Sequence, residues 1–239
     1  MSIQNVFQRY EIKYLITYEQ KKRLMNAMAH HMRGDSFGRS TICNLYYDTP
    51  DFRLIRQSLE KPVYKEKLRV RSYGTVRPDG KVFVELKKKY RDVVYKRRVS
   101  LPEREASRIL ADNRTGQLPG QIGREIDYFR TYYPGLAPRV YISYDREAYF
   151  ATDDSSFRVT FDDNILWRDE DLQLTRVPYG SRILPSGHAL MEIKVSDAMP
   201  LWMVSLLTET GAHKTSFSKY GRAYEAIHFG RSSCCRNAI

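Results

Sequence analysis

Three tripeptides constrain this fold more than any other feature: Glu11-Ile12-Lys13, Glu85-Leu86-Lys87 and Glu192-Ile193-Lys194. Side chains of a β-strand point alternately to opposite faces. Each tripeptide therefore sets a carboxylate and an ammonium on one face and a branched aliphatic on the other. The alternation continues in Lys65-Glu66-Lys67-Leu68-Arg69-Val70-Arg71, where four cations share a face and Leu68 and Val70 take the opposite one. Lys96 and Arg98 fall opposite Tyr95 and Val99, and Arg158 and Asp162 fall opposite Phe157, Val159 and Phe161. A half-solvated antiparallel sheet is the ordinary explanation for one such strand. Repeated over strand after strand, cations two residues apart repel one another, so an anionic partner has to compensate them. A sheet curled with its apolar side outward and its ionic side inward meets that demand, and its few glutamates offer oxygen ligands to a hard divalent cation. The strand at 140–150 is less regular, because Tyr144 and Arg146 share a face with Val140 and Ile142.

The charge distribution agrees. The net charge is +12, from 40 Lys and Arg against 28 Asp and Glu. Between positions 65 and 98 stand 13 basic and four acidic residues, a net of +9 that leaves only +3 for the remainder. A local basic device of this kind points to a polyanionic partner. The 239 residues, 42 % hydrophobic, suffice for a sizeable core. No stretch approaches the ~20 apolar residues of a membrane span, residues 1–9 contain no signal-peptide core, and neither terminus fits a lipidation motif. Cys43 and the adjacent Cys234 and Cys235 form neither a disulfide framework nor a zinc spacing. A cytoplasmic chain with free thiols is the expectation.

Periodicity predicts an α+β chain. Strands are expected at 9–16, 41–47, 65–73, 82–89, 93–101, 140–150, 157–165 and 189–195. Helices are expected at 17–32, opened by a Thr17/Gln20 capping box, at 49–61, opened by Thr49-Pro50-Asp51, and at 102–113, 122–133, 199–210 and 216–229. No Pro/Gly/Ser linker divides the chain, so one domain is expected over 1–229, followed by a polar tail at 230–239.

Several short segments occur in a telling order: Arg9-Tyr10-Glu11-Ile12-Lys13-Tyr14, Leu45-Tyr46-Tyr47-Asp48-Thr49-Pro50-Asp51, Lys67-Leu68-Arg69-Val70-Arg71, Val84-Glu85-Leu86-Lys87, Tyr95-Lys96-Arg97-Arg98, Tyr144-Asp145-Arg146, Phe157-Arg158, Met191-Glu192-Ile193-Lys194 and Ser218-Lys219-Tyr220. Together they resemble the VTC domain, the polyphosphate polymerase domain of the vacuolar transporter chaperone complex, within the CYTH-like triphosphate tunnel enzymes. The resemblance implies a closed antiparallel β-barrel tunnel of about eight strands, with a charged lumen and helices packed outside. It implies catalytic contacts to phosphate from Lys13, Arg69, Arg71, Lys87, Arg146, Arg158 and Lys219, with Lys219 closing one end. Arg9, Lys67, Lys96, Arg98 and Lys194 would bind further phosphate oxygens, the arginines in bidentate fashion and the lysines as point charges. Glu192 would be the principal ligand of a divalent metal, Mn²⁺ or Mg²⁺, helped by Glu11 and Glu85. One departure is informative. The tunnel triphosphatases begin with Glu-x-Glu-x-Lys, and here the first carboxylate is replaced by Arg9.

That replacement favours a polymerase over a hydrolase. The expected reaction moves the γ-phosphoryl group of ATP, or another nucleoside triphosphate, onto inorganic polyphosphate. Such transfer depends on positioning and charge neutralisation and needs no side-chain nucleophile. None of the five histidines lies in the strand pattern. The expected partners are the nucleotide, polyphosphate or triphosphate, and a membrane protein. Two rival readings are a triphosphatase in the same tunnel and a non-catalytic polyanion-binding module. Nucleic acid is disfavoured, because the glutamates of the tripeptides would repel its backbone and no nucleic-acid-binding motif is present.

Overall fold

A computed structural model of the chain describes residues 10–91, 93–112 and 116–230. Its strands are β1 (Tyr10–Thr17), β2 (Met32–Gly34), β3 (Ser40–Asp48), β4 (Tyr64–Tyr73), β5 (Lys81–Tyr90), β6 (Val93–Pro102), β7 (Ala137–Ala151), β8 (Arg158–Arg168), β9 (Ser181–Arg182), β10 (His188–Val195) and β11 (Lys214–Thr215). Its helices are α1 (Tyr18–Met28), α2 (Arg53–Leu59), α3 (Glu103–Ala111), α4 (Gly120–Tyr132), α5 (Leu201–Glu209) and α6 (Lys219–Phe229). The strands form one antiparallel sheet in the order β11-β1-β10-β8-β7-β3-β4-β5-β6, with β2 added to β7 and β9 to β8.

The alternation in the sequence becomes two faces. On one, Leu45, Leu68, Val70, Val84 and Leu86 pack with Ile109 of α3 and Ile126 and Phe129 of α4. Further along the same face, Tyr14, Ile16, Val159, Met191 and Ile193 pack with Leu24 of α1 and Met203 of α5. The Thr17/Gln20 capping box forms as the sequence predicts, each side chain bonding the other residue's backbone N–H.

The ionic face curves inward. Glu11 on β1 and Lys87 on β5 lie six steps apart in the strand order, which a flat sheet would stretch to roughly 29 Å at ~4.8 Å per strand. Their side chains nevertheless meet at 3.1 Å. The curled sheet is not a closed barrel, however, and this corrects the expected architecture. Among the described residues, no ladder joins β6 to β1 or β11. The edge strand β6 carries the inward-facing charges Lys96 and Arg98, and inward-pointing charges on an edge strand resist further pairing. The gap is crossed by the Glu11–Lys87 pair and by the segment before α6. There Lys13 donates to the Phe217 carbonyl at 2.7 Å, and Lys67 donates to Ser218 Oγ at 3.4 Å.

The helices are not all outside either. Tyr220, Ala223 and Ala226 of α6 pack on Ile42, Tyr46, Ile142 and Leu190, which share the inward face with the charged residues. This explains the irregular strand 140–150: its inward face is apolar under α6 at Val140 and Ile142 and ionic beyond it at Arg146. A bulge aids the change of surroundings. Tyr144 faces both Asn164 and Ile165 where the β7–β8 register shifts, and Asn164 takes φ 47°, a left-handed geometry that asparagine tolerates.

The helix at Thr49-Pro50-Asp51 also begins later than the sequence predicts, at Arg53 after a left-handed Phe52. Asp48 is the reason. Its buried carboxylate accepts from the backbone N–H groups of Thr49, Leu54 and Ile55 and from the Tyr220 hydroxyl, so it caps α2 and ties α6 to it. Asp48→Ala should cost about 2–3 kcal/mol, measurable by urea unfolding. No described helix is long and apolar enough to cross a membrane. The expected tail beyond position 230, with Cys234 and Cys235, lies outside the described residues.

Candidate functional site

Among the described residues, ten cations cluster in the lumen, Lys13, Lys67, Arg69, Arg71, Lys87, Lys96, Arg98, Arg146, Lys194 and Lys219, with Lys65 and Lys89 on the same face nearer its mouth. Four carboxylates face them: Glu11, Glu85, Asp162 and Glu192. Ten minus four leaves an excess of +6. The alternation thus brings together nearly every site residue named from the sequence. Arg158 holds the correct face, opposite Lys194, but is exposed at the rim and bonds only the nearby Ser155 carbonyl at 3.4 Å among the described residues. Arg9 lies outside the described residues.

Six of these cations fall into two groups around the buried counter-ions Glu85 and Asp162. Glu85, 1 % exposed, receives Arg69 Nε at 2.8 Å and Arg98 Nε at 2.9 Å. Lys96 adds a contact at 2.7 Å, and Arg71 stands 3.9 Å away. Burial would raise the Glu85 carboxyl, but Arg69, Arg71 and Lys96 outweigh it and hold the group far below the ordinary carboxylate range. Asp162, fully buried, takes a bidentate bond from Arg146 at 2.6 and 2.7 Å and another from Lys219 at 2.6 Å. There too burial is outweighed, by Lys219 and Arg146, and the carboxyl is held down to about 2. Lys219, the first residue of α6, is thus anchored over the ring of Tyr144, with its Nζ 4.5 Å from the centroid.

Several functional neighbours were not singled out from the sequence. Asp162 stands in the alternating pattern, yet nothing there marks it as the anchor of two cations. Tyr144 accepts from Arg71 at 3.2 Å, Tyr46 from Arg69 at 3.3 Å, and Asn44 from Arg71 at 2.9 Å. Burial would raise the Tyr144 phenol, but Arg71, Arg146 and Lys219 prevail and hold it at about 8. These residues orient the arginines; Tyr46 and Tyr144 stand within segments that carry the resemblance but had no role assigned there, and the only signal of Asn44 in the sequence is its parity with charged positions.

Lys67 differs from the rest. It forms no ion pair among the described residues, and its charged neighbours are Lys13, Lys87, Lys65 and Arg69. Burial and that crowding push its ammonium down to about 7. It lines a cavity of about 1440 Å³ with Lys13, Lys61, Lys65, Lys87 and Lys89, opening between β1, β4, β5 and the start of α6.

The carboxylates divide as metal ligands. Glu85 does not fit, because both of its oxygens already accept from cations. Glu192 is buried, with Lys194 at 3.0 Å and Lys13 at 3.9 Å. Glu11 lies on the adjacent strand one diagonal away, since Glu11 pairs with Lys194 and Lys13 with Glu192. Among the described residues no group of three His, Cys, Asp or Glu is arranged to hold a metal. A Mg²⁺-type ion needs only one or two carboxylates where phosphate oxygens and water complete its shell. The pair Glu192 and Glu11 fits that requirement.

Comparison with known proteins bears on the family and the fold. The family model of the VTC domain matches residues 8–228. An adenylate cyclase candidate from Bacillus halodurans superposes with a TM-score of 0.56 at 16 % identity, over 88 % of this chain and 95 % of that one. HpAC1 from Hippeastrum, an adenylyl cyclase candidate with a dominant triphosphatase activity, superposes with a TM-score of 0.54 at 15 % identity, over 90 % of this chain and 95 % of that one. At these identities the likeness is one of fold. No curated protein sequence matches at a significant level.

Proposed function

This chain belongs to the VTC domain family, and from that premise we propose that it extends inorganic polyphosphate, taking the γ-phosphoryl group of a nucleoside triphosphate such as ATP. The observation that carries the reading is the cavity in front of Lys67. At about 1440 Å³ it exceeds the ~300–1,000 Å³ usual for a small ligand, and its lysines continue the charged lumen outward. A hydrolase needs to hold one triphosphate, whereas a polymerase must also hold the chain it makes.

In this mechanism Arg69, Arg71 and Arg98, splayed around Glu85, offer their remaining N–H groups to phosphate oxygens. Arg146 and Lys219, fixed by Asp162, stabilise the charge that spreads over the transferring group. The acceptor is the ionised terminal oxygen of the chain, so no base is required, and the nucleoside diphosphate leaves. A divalent cation held by Glu192 with Glu11 would neutralise the phosphate charge that the lysines leave uncovered. The protein, incubated with ATP and Mn²⁺, should produce chains longer than triphosphate. Free phosphate without polymer would reject the proposal.

Triphosphate hydrolysis is the rival, consistent with the activity of the Hippeastrum neighbour. Its support in this structure is the exposure of Glu11, which admits water beside Glu192. Product analysis separates the two.

Either reaction should couple binding to protons through Lys67. Bound phosphate restores the charged ammonium, so at about pH 8 binding takes up a proton and affinity falls as pH rises above 7. Calorimetry with inorganic triphosphate in two buffers of different ionisation enthalpy measures the uptake, and equal heats in both would refute it. The linkage also has a sign for stability. In the unfolded chain this lysine titrates near 10.5, so between about pH 7 and 10.5 the unfolded state binds more protons. Through that window the Lys67 contribution to stability rises with pH.

A further inference from the structure

The floor of the lumen contains a polar atom that the protein itself does not satisfy. Thr160 on β8 is 6 % exposed, and its Oγ1 is buried with no hydrogen-bond partner. Register places it between Ala148 of β7 and Glu192 of β10. Its face is the inward one, because Asp162, two residues on, points inward to Arg146 and Lys219. Cross-strand neighbours on one face stand ~4.5–5.5 Å apart at Cβ, so the hydroxyl lies beside the Glu192 carboxylate. That carboxylate is turned toward Lys194 and Lys13 and takes no bond from it. Ala148, on the other side, presents only a methyl group and offers the hydroxyl no partner. A buried hydroxyl without a partner is costly, and here it sits between the candidate metal ligand and the Arg146–Lys219 pair.

We propose that Thr160 donates its hydroxyl proton to an oxygen of the phosphate bound between Glu192 and Arg146, and so positions the reacting end of the ligand. The inference rests on the phosphate-tunnel reading above. A hydroxyl suits the place because it orients an oxygen without adding charge. A lysine there would compete for Glu192 and would strengthen binding along the whole chain, not at one oxygen.

The test uses Thr160→Val, which keeps the shape and removes the hydroxyl, and Thr160→Ser, which keeps the hydroxyl. Inorganic triphosphate is titrated calorimetrically into each without metal, and each is melted without ligand. Thr160→Val should bind about tenfold more weakly or worse, as expected for a lost bond to a charged acceptor. It should also melt higher by roughly 2–4 °C, because the unsatisfied group is gone. Thr160→Ser should bind like the wild type. Binding unchanged in Thr160→Val overturns the proposal. So does a lower melting temperature in Thr160→Val, which would make the hydroxyl part of the fold. Failure of the wild-type protein to bind triphosphate is a distinct result, which removes the tunnel reading and this inference with it.

Discussion

Glu192→Gln is expected to lower metal-dependent phosphoryl transfer by at least about 100-fold while triphosphate binding stays the same or tightens. Changing groups that merely orient a metal ligand already costs ~10–100-fold, and Glu192 is the buried carboxylate best placed to be a ligand itself. Burial would raise its pKa, but Lys194, Lys13 and Lys219 hold it well below the ordinary value, so it is ionised and available. The amide is isosteric and neutral, so the lumen excess rises by one and an anion gains by it. Opposite changes in turnover and affinity are the signature, read from steady-state rates with Mn²⁺ and from calorimetry without it. Unchanged turnover would show that the metal is held elsewhere.

The second large effect is on stability. Glu85→Gln should melt roughly 6–12 °C below the wild-type protein. Removing one partner from a buried ionic cluster costs ~3–5 kcal/mol, and for a chain of this size each kcal/mol shifts the midpoint by ~2–4 °C. The low end, about 3 kcal/mol, applies, since Lys96 and Arg98 are more than a third exposed on their side chains and can turn to water. Arg69 and Arg71 cannot do so as readily. Saturating triphosphate should restore much of the loss, because it replaces the missing negative charge and binds the folded state alone. A variant that melts with the wild type would mean that the four cations do not depend on Glu85.

The faces of the sheet were legible in the sequence because strand parity is strict. Once Leu68 and Val70 are assigned to the core, Lys67, Arg69 and Arg71 have only one other side to occupy. The lumen cations follow from that rule, and the capping box at Thr17 was legible for a different local reason, the three-residue spacing of Thr17 and Gln20. Parity cannot say how charges pair within a face, so Glu85 read as a metal helper when it is the hub of four cations. It also cannot say what lies over the face. α6 is amphipathic like an outer helix, and only its contacts with Ile42 and Ile142 show that it lies inside. Asp48 read as the prelude to a capped helix, but its bonds to Leu54, Ile55 and Tyr220 join segments up to 172 residues apart, beyond any local pattern. Closure of the sheet failed for a related reason. Alternation fixes which side bends inward, while pairing of the last margins depends on what those margins carry.

The unpaired margin between β1 and β6 changes how a long thread can leave. From a ring sealed all round, a polymer escapes only end-first, one repeat at a time, and slows as it lengthens. Here part of the wall is latched by a partly exposed lysine–glutamate contact, worth only about 1 kcal/mol or less and loosened by salt. Parting it breaks no ladder bond. If the chain makes polymer as proposed, the stretch of product lying against this contact can lift sideways, while the segment before α6 still bridges the rest of the gap and keeps the remainder threaded.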